Sequence, residues 1–192
     1  MIKRHSRQRG FTLIELMVVI SIITFIASNL LVAFHSAILK GRATKVKADL
    51  SQISKAVSAL VDDTGLWPYG CVPEATLGDS EGASNEITLS STQSGLITKP
   101  TVGVTDPSSH CAWTQAAVNA WRGPYLTGQL LDPWGSPYWM DEDYWPYRDC
   151  PTANANPGAQ LTAALVSIGQ DKIPLTTNVY NCDDSYLLLP AH

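Results

Sequence analysis

The sequence predicts an α+β fold, a long amino-terminal helix packed on a small antiparallel β-sheet. Three observations carry this. No proline or glycine interrupts Phe11 to Lys40, and apolar residues dominate that stretch as far as Phe34. Beyond Gly41, the residues Val46, Leu50, Ile53, Val57 and Leu60 recur at helical spacing, which makes one apolar stripe. Near the carboxyl end, short β-compatible runs follow turn-forming residues, and a helix stripe laid on such strands buries both.

The helix comes first in the chain. From Leu13 to Phe34 its opening stretch is broken only by Glu15, Ser21, Thr24, Ser28 and Asn29, and at roughly 20 residues it is long enough to cross a bilayer. Glu15 does not belong in a plain anchor, because an ionised carboxylate facing lipid costs several kcal/mol and calls for a partner. The helix is expected to end near Val61, where Asp62-Asp63-Thr64-Gly65 reads as a stop and Pro68 follows. That makes about 50 residues, roughly 75 Å at 1.5 Å per residue. The expected organisation is a basic leader at 1–10, an apolar helix at 11–34, its amphipathic continuation at 35–62 and a globular domain at 63–192.

From Gly65 to Leu126 the chain reads as an irregular connection. Ile87-Thr88-Leu89 is a candidate short strand, and Trp113 to Trp121 a candidate short helix. Three strand candidates follow. Ser136 to Met140 comes after the turn Asp132-Pro133-Trp134-Gly135, Leu161 to Ile168 is a continuous apolar run, and Tyr186 to Leu189 is the last.

Composition limits the function. The chain has 192 residues and a net charge of −4. Lys3, Arg4, Arg7 and Arg9 lie in the leader, so without it nine basic residues face 17 acids, a balance of −8. No basic patch for nucleic acid is expected from such a balance. His5, His35, His110 and His192 are scattered, and no nucleophile, zinc-protease or phosphate-loop motif occurs, so no enzymatic activity is expected.

Four cysteines, Cys71, Cys111, Cys150 and Cys182, all follow the apolar stretch, are even in number and form no C-x-x-C. Two disulfides in an oxidising compartment account for them better than a zinc site or free thiols. Three connectivities are open; pairing of sequence neighbours, Cys71–Cys111 and Cys150–Cys182, is preferred. The cysteines and the short tail put the amino end in the cytoplasm. Charge counting alone does not, since Lys40, Arg42, Lys45 and Lys47 follow the span. Tyr138, Trp139, Tyr144, Trp145 and Tyr147 beside Asp141, Glu142, Asp143 and Asp149 form either a sugar platform or, more in keeping with a small domain, core and rim.

Gly10-Phe11-Thr12-Leu13-Ile14-Glu15 behind a basic leader resembles the prepilin signal of type IV pilins and type II secretion pseudopilins. The resemblance extends to Asp63-Thr64-Gly65-Leu66-Trp67-Pro68, to Trp121-Arg122-Gly123-Pro124-Tyr125-Leu126 and to Asp132-Pro133-Trp134-Gly135-Ser136-Pro137-Tyr138, which look like the major pseudopilin of type II secretion. The insertion between Pro68 and Trp121 and the four cysteines depart from that pattern. The resemblance implies cleavage between Gly10 and Phe11 by a prepilin peptidase and N-methylation of Phe11. It also implies a role for Glu15 in pairing with the amine of a neighbouring subunit. The chain would sit in the bacterial inner membrane with its carboxyl-terminal domain in the periplasm. It would then self-assemble into a helical filament through an inner-membrane assembly platform and minor pseudopilins. Calcium is implied in a loop opened by Asp171 and closed by Asp183 or Asp184, although Lys172 stands where the family has glycine. A type IV pilus pilin and a membrane-anchored periplasmic binding module are the alternative functions.

Overall fold

The computed structural model describes residues 11–73, 86–105, 111–146, 162–175 and 182–189, without the side chains of 29, 31–33 and 104. It has the α+β architecture expected: a long first helix and a small antiparallel sheet. The chain divides into two compact units, Met1–Arg42 and Ala43–His192, so the division falls inside the first helix.

Helix α1 spans Leu13–Thr64, 52 residues. It ends three residues later than the sequence suggests. Acids in a last turn oppose the helix dipole, which is why Asp62 and Asp63 read as a stop. Asp63 is instead retained because its Oδ2 accepts the Tyr125 hydroxyl at 2.8 Å. Termination falls to Gly65, at φ +71°, whose N–H returns to the Val61 carbonyl at 2.7 Å.

The main sheet has four strands, β1 (Ile87–Thr88), β4 (Trp139–Tyr144), β5 (Thr162–Ser167) and β6 (Ser185–Leu188), antiparallel in the order β1-β4-β5-β6. In β5, Ala163 and Leu165 join the core that holds Val46, Leu50, Ile53, Val57 and Leu60 of α1. The alternate residues Ala164 and Val166 join a second cluster with Tyr144, Ile168 and Leu175. Burial on both faces explains why β5 reads as an unbroken apolar run.

β4 starts three residues later than Ser136 and continues into the acids. Ser136 is held back by the turn before it: the Asp132 N–H donates to the Ser136 carbonyl at 2.8 Å, and the Gly135 N–H to the Asp132 carbonyl at 2.9 Å.

The segment read as irregular has more structure than the sequence suggests. It contains β1, a two-stranded pair β2 (Gly103–Val104) and β3 (Ala112–Trp113), the short helix α2 (Gln115–Ala120) and two 3-10 turns, Pro68–Gly70 and Thr92–Ser94. Trp113 is a buried strand residue, not part of the helix. α2 starts behind Thr114, whose hydroxyl accepts the Ala117 N–H at 3.2 Å. Gly70, at φ +81°, is locked against β3, since a Cβ there would lie 2.6 Å from the Ala112 carbonyl carbon.

Candidate functional site

The first site is the start of α1. Thr12 precedes the helix and Glu15 is its third residue, and the two bond reciprocally. The Thr12 N–H donates to Glu15 Oε2 at 2.9 Å, the Thr12 hydroxyl to the same oxygen at 2.7 Å, and the Glu15 N–H to Thr12 Oγ1 at 3.3 Å. This is a capping box, T-x-x-E, which satisfies amides that a helix start leaves orphaned. The T-x-x-E spacing is present in the sequence, where the apolar setting of Glu15 points to a partner outside the helix and the cap supplies one within it. Phe11 is 86% exposed and Gly10 lies outside the described residues.

Beyond the cap, the large apolar side chains described from Leu13 to Leu30 are between 48% and 76% exposed. The hydroxyls among them turn inward on the helix's own backbone. Ser21 donates to the Val18 carbonyl at 2.7 Å, Thr24 to Ile20 and Ser21 at 2.9 Å, and Ser28 to Phe25 at 2.9 Å. Among the described residues no helix is long and apolar enough to cross a membrane. The run of described side chains is interrupted at 29 and 31–33.

The second site is the set of motif residues in the globular unit, and they serve structure. Asp132, 5% exposed, accepts the N–H groups of Trp134 (3.0 Å) and Ser136 (2.8 Å) on Oδ1 and the Ser167 hydroxyl (2.7 Å) on Oδ2. It thereby ties the D-P-W-G turn to β5. Tyr138 is buried and donates to Asp49 Oδ2 of α1 at 2.8 Å, where Lys45 also pairs with Asp49. Burial, then the Asp49 bond, holds the Tyr138 phenol far above its ordinary pKa. Tyr125 bonds Asp63 and packs edge-on against Trp121 at 5.8 Å, while the Trp121 indole N–H donates to the Gly95 carbonyl at 2.7 Å. The described aromatics beside the acids are core and rim: Tyr138 and Tyr144 are buried, Trp139 and Trp145 half-buried, and the Tyr144 and Tyr186 rings lie 5.1 Å apart at a tilt of 43°. Tyr147 and Asp149 lie outside the described residues.

Cys71 and Cys111 form a disulfide across 40 residues of sequence. Cys182 is also disulfide-bonded; Cys150 lies outside the described residues. His35 is exposed, and His5, His110 and His192 lie outside the described residues.

The loop between β5 and β6 is arranged around backbone amides. Asp183 Oδ2 accepts the N–H groups of Gln170 (2.7 Å) and Asp171 (3.0 Å), and Asp171 Oδ1 accepts that of Ile173 (3.0 Å). Lys172 takes φ +60°, the left-handed conformation that glycine favours. Asp171, Asp183 and Asp184 do not bring three carboxylate oxygens within 4.8 Å of one another. Among the described residues that spacing is met by Cys71, Cys111 and Glu142, where the two sulfurs are already bonded to each other. Residues 176–181 of this loop lie outside the described residues.

Residues 5–28 match the prokaryotic N-terminal methylation motif. The chain is similar to the type IV major alpha-pilin of Moraxella bovis, at 34% identity over 92 residues. That alignment covers 48% of this chain and 57% of the relative, less than two thirds of the relative's length. No solved structure matches the chain. The motif at the amino end and the likeness to a major pilin together support a type IV pilin-like family for this chain.

Proposed function

We propose that the chain is a structural, non-catalytic filament subunit, with the major pseudopilin of a type II secretion system as its specific role. One observation carries the filament reading: the long row of exposed apolar side chains on the first part of α1. Apolar surface of that extent needs lipid or neighbouring chains to cover it. In this reading residues 11–34 span the inner membrane before assembly and line the filament afterwards, and the globular unit stays on the periplasmic side. The leader is removed between Gly10 and Phe11 by the prepilin peptidase, and Phe11 is N-methylated. The assembly platform and minor pseudopilins act on the mature subunit.

Glu15 has two oxygens for two tasks. Oε2 holds both Thr12 donors of the subunit's own helix. Oε1 is left for the amine of a neighbour, and in an apolar bundle two such charges are stable chiefly as a pair. The pseudopilin assignment rests on the three sequence stretches around Asp63, Trp121 and Asp132. The runner-up, a type IV pilus pilin, is favoured by the identity of the relative, which is itself a major pilin. Calcium in the β5–β6 loop stays a proposal of the resemblance alone.

Mass spectrometry of the chain recovered from membranes tests processing. The expected product lacks residues 1–10 and carries one added methyl on Phe11; a full-length, unmethylated chain would overturn the reading. Complementation separates the two filament roles. Restored protein secretion in a strain lacking its major pseudopilin supports the first, and surface pili without secretion support the second.

A further inference from the structure

Helix α1 carries a single glycine between Phe11 and Thr64, Gly41, and no proline. Glycine inside a helix is unfavourable, because it loses more backbone freedom on folding than any other residue. Two reasons usually account for it, and neither holds here. A left-handed backbone would call for glycine, but Gly41 is helical, unlike Gly65, Gly70 and Gly169, whose φ is positive. A close neighbour would also call for it. Yet among the described residues a Cβ at Gly41 would meet nothing within 4 Å beyond its own turn of helix. Alanine would therefore fit there, and it would make the helix about fivefold harder to open, the equivalent of about 1 kcal/mol at room temperature.

The place of Gly41 along α1 matters as much as its identity. Val46 is the first buried side chain among the described residues of the helix, and with Leu50, Ile53, Val57 and Leu60 it is fixed in the core. Upstream, the described side chains from Phe11 to Lys45 are exposed or half-buried. Tertiary packing therefore holds α1 from Val46 onward, and before that point its own backbone hydrogen bonds and propensities chiefly hold it. The poorest helix former in that earlier length is Gly41, about 7 Å before Val46 along the axis. The division between the two compact units falls one residue later, after Arg42.

We propose that Gly41 is the bend point of α1, the place where the helix opens so that its apolar length and its core-packed length can take different directions. Opening there breaks the hydrogen bonds whose N–H groups lie at 42–45 and whose carbonyls lie at 38–41, in the helical i→i−4 pattern. Glycine lowers the cost of that step, and having no side chain it leaves the freed groups open to water. A few residues that absorb a change of φ and ψ are enough for a hinge. Everything from Val46 on keeps its packing. The purpose of the bend rests on the filament reading: an apolar length that passes from lipid into a bundle of neighbours must reorient while the globular unit stays folded. The opening itself does not depend on that reading.

The test uses the full chain, first in detergent micelles and then in cells. Amide exchange of the wild type is expected to peak locally at 42–45, faster than at 36–40 on one side and at 48–60 on the other. In Gly41→Ala, exchange at 42–45 should slow about fivefold while that at 50–60 is unchanged. Spin labels placed on Phe34→Cys and Ala48→Cys, both exposed positions, lie about 21 Å apart along a straight helix. Their distance distribution should be broad in the wild type and narrow in Gly41→Ala. In a strain that builds filaments from the wild type, Gly41→Ala should be processed normally yet give severalfold less filament. Adding Ala37→Gly to it, which moves the glycine one turn toward the amino end, should recover most of the yield. That recovery separates a bend from a contact, because a neighbouring chain packed on position 41 gains nothing from a glycine at 37. A flat exchange profile from 36 to 48, equally narrow distance distributions, full assembly by Gly41→Ala or an unrescued double variant would each overturn the bend. If the wild type itself forms no filament, the filament reading fails, and the exchange profile and label distances still decide the bend.

Discussion

Replacing Asp132 by alanine isolates what the D-P-W-G turn contributes. The carboxylate accepts three hydrogen bonds, from the N–H groups of Trp134 and Ser136 and from the Ser167 hydroxyl. Ser136 and Ser167 are buried, so their donors would have no water to turn to, at about 1–3 kcal/mol each. The Trp134 amide is part-buried and recovers some hydration, adding about 0.5–1 kcal/mol. The expected loss is therefore about 2.5–7 kcal/mol, a large share of a stability of about 5–15 kcal/mol. For a protein of this size that is a fall in melting temperature of roughly 5–28 °C. Asp132→Asn is the internal control. Its amide oxygen can accept both backbone N–H groups, and its NH₂ can donate to the Ser167 oxygen, so about 1 kcal/mol should be lost. Thermal melting of both variants, followed by tryptophan fluorescence, measures the contrast. If Asp132→Ala lies within 1 kcal/mol of wild type, or Asp132→Asn is as damaged as alanine, the turn does not depend on this carboxylate.

Three further perturbations address other parts of the chain. Glu15→Gln keeps an acceptor for the Thr12 cap but removes the charge, so helix content should be unchanged while filament yield collapses; a normal yield by electron microscopy would remove the pairing argument. Opening the Cys71–Cys111 bridge by a double serine substitution should cost about 4 kcal/mol, from loop-closure entropy over 40 residues. Equilibrium urea unfolding reads this, and a loss under 1 kcal/mol would show that the closed segment is ordered by its other contacts. In the β5–β6 loop, Asp183→Ala should lower stability by about 1–2 kcal/mol, since the two exposed amides it releases are taken up by water, and the thermal melting curve reads the loss; an unchanged curve would mean the loop does not depend on this carboxylate. A fall in wild-type melting temperature on chelation would support the calcium that the family resemblance implies, and an unchanged curve would count against it.

Legibility in the sequence followed the length of the signal. α1 and β5 were readable because each repeats one pattern over many residues, a 3.6-residue stripe in one and continuous burial in the other. The segment from Gly65 to Leu126 was not. Its strands have two residues each, too few for a period, and they are fixed by distant contacts such as Gly70 against Ala112. The acids Asp141 and Asp143 looked like a polar rim because charge usually marks the surface, yet β4 carries them into the interior. At the amino end, the T-x-x-E spacing is local and legible, while what meets the rest of Glu15 depends on chains other than this one.

The hydroxyls of Ser21, Thr24 and Ser28, spent on carbonyls of their own helix, have a bearing on transfer between surroundings. In the filament reading proposed above, these three hydroxyls need break no bond when lipid tails are exchanged for neighbouring side chains. Lipid tails are about as apolar as leucine, so little hydrophobic force separates the two environments. The exchange is then close to balanced in free energy along that stretch. Direction must come from the few groups that do change partners, and alignment between neighbours from the shapes of Leu, Ile, Val and Phe rather than from polar matching.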